Sequence, residues 1–341
     1  MDLLRFPEMK GAGGNKTPRP AVRRIFVIHH GALGDLVTAF PLFGALKAAG
    51  FEIRLLCRGS IGALAASLGL ARQAYALESA RFASLYRENP DKAATQPVEA
   101  CDIVLALTRS DSLVAGLSRF FKKPIHRIPP RPDPGARVHT AHHLLHASLK
   151  IGLIPSLEER VSAPDPDFAS GENTRTLWIH PGAGSPLKRW PLDRFVETAV
   201  LLREKGFDPG FLLGPAEFFL ESALSAAAPD FRIFTTGDLS ALVRALKSAM
   251  GFIGNDSGVS HLAAFLGLFT VAVFGPTDPA RWKPLGPAAT VVQGVSDCFP
   301  CFESGNKDCR QPVCLQSVTP ARVLDAFFRI LPASKSAPRS A

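Results

Sequence analysis

Short apolar runs alternate with helix-spaced stretches along nearly the whole chain, and the pattern comes in two similar halves. In the first half, 24–29, 52–57, 101–107 and 124–128 read as strands. Between and after them, 35–49, 61–68, 112–121 and 136–151 carry the spacing of helices. The second half repeats the scheme, with strands at 176–180, 210–213, 232–235, 252–254 and 270–274. Its helices fall at 192–205, 217–227, 239–249 and 257–266, and an amphipathic helix closes the chain at 320–331. The strands are continuously apolar rather than alternating, as in Ile25-Phe-Val-Ile28. Such strands are buried on both faces, so the alternation predicts α/β domains with parallel sheets covered on both sides.

The pattern breaks over 162–173, which is rich in Pro, Asp, Gly and Ser and has no periodicity. The expected organisation is a flexible tail at 1–20, a first domain at 21–165, a linker at 166–173 and a second domain at 174–319. A final helix at 320–332, expected to pack back on the first domain, and a tail at 333–341 complete it. A length of 341 residues suits two domains.

Composition narrows the partners. Net charge is +9, which favours acidic ones. The densest basic stretch holds Arg119, Lys122, Lys123, His126, Arg127 and Arg131, but no regular basic–aromatic pattern accompanies it, so nucleic acid is not expected. No run of about 20 apolar residues predicts a membrane span. The first residues lack the continuous apolar core of a signal peptide, so a cytoplasmic setting is expected. Cys57 and Cys101 lie at apolar strands and read as buried thiols. Cys298, Cys301, Cys309 and Cys314 crowd into one loop; they read either as a structural zinc site or as free thiols, the 309/314 spacing being wide for zinc.

Three strand-to-helix junctions carry unusual residues. His29-His-Gly-Ala-Leu-Gly-Asp35 follows the first strand. Its glycines let backbone pass close to a ligand, and Asp35 suits either a general base or a helix-start residue. His180-Pro-Gly-Ala-Gly-Ser185 leads to Lys188, Arg189 and Trp190. This loop suits a diphosphate or is a solvated basic loop. Gly254-Asn-Asp-Ser-Gly-Val-Ser-His261 opens a helix whose first N–H groups have no internal partner, which makes an anion site. His261 there is a ligand contact or a core histidine. Glu217, after Leu213-Gly-Pro215, suits a ribose diol or the first turn of a helix.

In this order the segments resemble glycosyltransferase family nine, the heptosyltransferases, over most of 24–330. Gly31-Ala-Leu-Gly-Asp35 with Pro41 and Leu46-Lys47 carries the likeness in the first half. His180-Pro-Gly-Ala with Lys188-Arg-Trp-Pro191, and Asn255-Asp-Ser-Gly-Val-Ser-His261 with Phe274-Gly-Pro-Thr-Asp-Pro279, carry it in the second. The cysteine loop at 298–314 is similar to C-terminal segments of many members.

The resemblance implies a GT-B fold, two Rossmann-like doubly wound domains facing across a cleft. It implies inverting transfer of heptose from ADP-heptose to a lipopolysaccharide core or related glycan, with Asp35 as base. Ser185, Lys188, Glu217, Asn255, Asp256, Ser257, Gly258 and His261 would surround the donor. His29, Arg58 and Arg109 are the expected acceptor contacts. Many members carry Arg or Lys where His29 stands, so the acceptor is expected to depart from the usual one. No cofactor is required by these motifs. The expected partners are the nucleotide sugar, an anionic lipid-linked glycan and, weakly, the inner leaflet of the cytoplasmic membrane. A sugar-nucleotide epimerase and a non-catalytic sugar-nucleotide-binding protein are the alternatives.

Overall fold

A computed structural model describes residues 22–157, 174–298, 300–301, 309 and 312–332. The expected tails at 1–20 and 333–341 and the linker at 166–173 lie outside the described residues.

The first sheet contains β1 (Arg23–His29), β2 (Phe51–Cys57), β3 (Gln73–Ala76), β4 (Ile103–Leu107) and β5 (Ile125–Ile128). Its order is β3-β2-β1-β4-β5, all parallel. The second contains β6 (Thr176–His180), β7 (Asp208–Leu213), β8 (Ile233–Thr235), β9 (Gly251–Asn255), β10 (Phe269–Phe274) and β11 (Ala289–Gln293). Its order is β11-β10-β9-β6-β7-β8, again all parallel. In both, the order reverses beside the first strand of the domain, and ligands in such sheets bind at the carboxyl ends near that reversal.

The strands are apolar because both faces are covered. Side chains alternate across a strand. Ile25 and Val27 therefore join one core cluster, while Phe26 and Ile28 join another on the opposite face with Phe82, Leu85 and Leu117. The same division holds in β6, where Leu177 and Ile179 face one cluster and Trp178 the other. The cluster holding Ile25 also takes in Leu212, Phe252, Leu262 and Phe265 of the second domain. One apolar core thus runs across the domain boundary, with Phe40 and Phe265 meeting edge to face at 4.8 Å between ring centroids.

Two expectations change. The final helix, Pro320–Ile330, does not cross back to the first domain. Val323, Leu324 and Phe327 are buried in the second-domain core with Leu177 and Val271, and Phe327 packs against Phe207. Its apolar stripe is satisfied by the sheet that precedes it in the chain. The edge strands β3 and β11 have no counterpart in the sequence reading. Both are short and mostly half-buried, so neither carries the apolar run that marks the central strands.

Candidate active site

A cavity of about 570 Å³ lies between the domains, at the carboxyl ends of both sheets. Gly34 and Asp35 enter it after β1, Lys188 after β6, and Asp256, Ser257, Gly258 and His261 after β9. The sequence reading did not select Arg131, Thr277, Arg281 and Trp282, which complete its walls with Arg109.

Asp35 sits in the first turn of the helix Leu33–Ala48. Its Oδ2 accepts the Ala32 N–H at 3.1 Å, and its Oδ1 accepts from Arg131 Nη2 at 2.7 Å and Nε at 3.2 Å. Asp35 is therefore both a helix-start brace and a cavity carboxylate. The two readings of its sequence position are compatible.

The domains touch at this point through two glycines. A Cβ on Gly258 would lie 2.8 Å from the Gly34 nitrogen, and one on Gly34 would lie 3.2 Å from the Gly258 Cα. These positions have no room for a side chain, and their bareness brings the two helix starts together. Ser257 caps the helix Gly258–Phe265 by accepting the Ser260 N–H, which orients the helix start at the cavity.

Lys188 closes the loop after β6 and pairs with Asp256 at 3.0 Å. Asp256 also accepts from the Thr277 hydroxyl at 2.7 Å. A carboxylate would repel a phosphate, so the part Asp256 plays here is to hold the Lys188 ammonium and Thr277 in place. Asn255 is fully buried and braces the same loop: its amide donates to Pro181 O and its oxygen accepts the Trp190 N–H at 2.9 Å. Burial holds His261 below the usual imidazole range, against the pull of Asp256. It lines the cavity as a neutral ring.

Several expected site residues lie behind the walls. Ser185 caps the Pro186–Lys188 turn by accepting the Leu187 N–H. Glu217 is buried, accepts the Gly214 N–H and packs so closely on Gly182 that a Cβ there would overlap its carboxyl group. His29 is buried, with Nδ1 accepting the Gly31 N–H, and burial pushes it down to about 4. A neutral, enclosed ring braces the loop and offers no charge to an acceptor. Arg58 precedes the helix Gly59–Ser67 and is not among the cavity-lining residues, whereas Arg109 is.

None of the four clustered cysteines is in a disulfide: Cys298 is exposed, Cys301 and Cys314 are buried, and Cys309 is half-buried. Among the described residues no group of three or more His, Cys, Asp or Glu side chains is placed to hold a metal ion. Cys298 faces both Cys301 and Cys314, and Cys309 faces Cys314, so the four thiols lie in one neighbourhood.

The family model for Glycosyltransferase family 9 (heptosyltransferase) matches residues 139–310. Lipooligosaccharide heptosyltransferase 2 of Haemophilus influenzae is 27% identical over 159 residues, covering 44% of this chain and 46% of that protein. The chain spans about half the length of the curated relatives it matches. The solved glycosyl transferase family 9 structure from Veillonella parvula superposes with a TM-score of 0.69 at 19% identity, covering 91% of this chain and 97% of that one. Heptosyltransferase WaaC of E. coli with ADP gives a TM-score of 0.69 at 17% identity, covering 90% of this chain and 100% of that one. The two parallel-sheet domains are the GT-B fold of these structures.

Proposed function

Because the chain belongs to glycosyltransferase family 9, the heptosyltransferases, we propose that it is an inverting glycosyltransferase that moves heptose from ADP-heptose to a lipopolysaccharide core or related glycan. One observation carries this reading. A carboxylate from one domain and a cationic helix-start site from the other face a single interdomain cavity.

The roles follow from that arrangement. Asp35 takes the proton of an acceptor hydroxyl as its oxygen attacks the anomeric carbon. The nucleoside diphosphate departs on the opposite face. Its growing negative charge meets Lys188 and the open N–H groups of the helix that starts at Gly258. Ser257 and Asn255 keep that helix start in place, and the buried Glu217 and His180, which face each other, brace the ends of β6 and β7 behind it. WaaC is described with ADP, which supports an adenine nucleotide as the leaving group here. The reading includes work in the cytoplasm, in weak contact with the inner leaflet where a lipid-linked acceptor is presented.

The test is a mass-spectrometric screen of nucleotide sugars for binding, followed by transfer assays on core-oligosaccharide fragments. Asp35→Ala is expected to abolish transfer and leave donor binding intact. Conversion of the donor to an isomer without any acceptor would instead identify an epimerase. Binding with no turnover across the acceptor panel would identify a non-catalytic protein.

A further inference from the structure

Asp35 is already engaged by this chain's own groups. A carboxylate offers about four in-plane acceptor directions. Arg131 fills both on Oδ1, and the Ala32 N–H fills one on Oδ2. The Arg131 guanidinium also lies 5.1 Å from the centroid of the Trp282 ring, so it is held between the first domain's carboxylate and the second domain's indole.

The backbone beneath it is tied down separately. Arg109 donates to Arg131 O at 3.0 Å. Arg281, buried in the second domain, donates to the carbonyls of Pro132, Asp133, Pro134 and Ala136. The anchor is thus fixed, while the Arg131 side chain keeps 54% of its surface exposed, where an anion entering the cavity can reach it.

With both Oδ1 directions taken by Arg131 and one on Oδ2 by Ala32, a hydroxyl can meet the carboxylate only through the single direction left on Oδ2. That hinders proton removal from any hydroxyl, and water is the hydroxyl always present. We propose that Arg131 is a latch on Asp35. It keeps the carboxylate from activating water against bound nucleotide sugar, and a carboxylate or phosphate on the acceptor releases it by taking the guanidinium. Both oxyanions match the guanidinium fork. The inference rests on the reading of Asp35 as the base.

The reaction held back is hydrolysis. The water oxygen bonds to the anomeric carbon and its proton passes to Asp35. The bond from the anomeric carbon to the diphosphate oxygen breaks, and its electron pair leaves with the nucleoside diphosphate. Arg131 is a positioning residue here, acting through Asp35.

The experiment measures ADP release from ADP-heptose without acceptor, and transfer to a core-oligosaccharide fragment, for the wild type, Arg131→Gln and Arg131→Gln with Asp35→Asn. General-base assistance contributes at least a hundredfold, so Arg131→Gln is expected to raise acceptor-independent ADP release tenfold or more. Adding Asp35→Asn returns it to the wild-type level. Unchanged or slower release in Arg131→Gln, or a rise that survives Asp35→Asn, overturns the latch while transfer by the wild type leaves the enzymatic reading standing. No transfer by the wild type sinks both.

A second readout needs no turnover. Trp178 and Trp190 are buried, so Trp282 is the tryptophan that faces the cavity. Adding an acidic core oligosaccharide to the ADP-loaded protein is expected to change tryptophan emission. The change should vanish in Trp282→Phe; the same change persisting in Arg131→Gln would overturn the proposal.

Discussion

Lys188 is where the chemistry of the second domain is most exposed to a single substitution. Its ammonium stands 3.0 Å from a carboxylate that is 4% exposed, beside an N-capped helix start. Charge-assisted hydrogen bonds contribute about 1.5–3 kcal/mol each. Lys188→Ala is therefore expected to weaken ADP binding by at least tenfold in calorimetry, and unchanged affinity would remove Lys188 from the diphosphate site. The buried histidines set a different residue-scale property. His139 accepts the Ala141 N–H on Nδ1 and bonds Lys283 O through Nε2, so it serves as a helix cap and an interdomain tie only while neutral. Burial pushes both His29 and His139 from 6.5 down to about 4. A lowered folded-state value means that the unfolded chain binds more protons between about pH 6.5 and 4, so stability falls as pH drops through that window. Each ring accounts for on the order of 3 kcal/mol at the low end. Urea melts from pH 7 to 4 should show the loss, and a His139→Gln variant should show a shallower slope.

Among the elements, the contact between the two helix starts governs how the cavity is built. The Gly34–Gly258 approach leaves no space for a methyl group. Gly258→Ala is expected to push the domains apart, costing about 1–3 kcal/mol. Thermal melting should show lower stability, and calorimetry should show weaker ADP binding because the site spans the gap. Unchanged melting and affinity would mean that the two helix starts tolerate separation. The sequence made these junctions visible because strand ends followed by Gly, Asp and Ser are a local signal. Gly34 and Gly258 line the cavity and also serve domain packing, and that second role is a long-range contact with no local signature. Arg131, read only as part of a basic stretch, and Arg281 and Trp282 were not assigned to the site for a related reason. They sit in or beside loops whose place in the cavity depends on how the domains dock. The final helix was recognised from its periodicity, but amphipathic spacing does not say which of two cores receives the stripe.

At the scale of the molecule, the domains are clasped on the far side of the cavity as well as at the glycine pair. Arg137 pairs with Asp278 at 3.1 Å, His139 reaches Lys283, and Arg281 gathers the carbonyls of 132–136. That arrangement leaves the first domain's basic stretch outward: Arg119, Lys122, Lys123 and Arg127 are exposed at the end of the helix Asp111–Phe120 and along β5. A net charge of +9 favours acidic partners in general, and the proposed contact with the inner leaflet is one of them. No helix among the described residues is long and apolar enough to cross a membrane. Each Lys or Arg near an anionic leaflet contributes about 1 kcal/mol, and screening acts over about 10 Å at 0.1 M salt. Weak co-sedimentation with anionic vesicles is therefore expected at low ionic strength, falling away as salt rises and absent with neutral vesicles. Replacing Arg119, Lys122 and Lys123 together by Gln should reduce it further, because these side chains already cap or brace backbone carbonyls and hold their charges in fixed positions. Binding that ignores salt would point to apolar insertion, and absent binding would leave the acceptor to be met in solution.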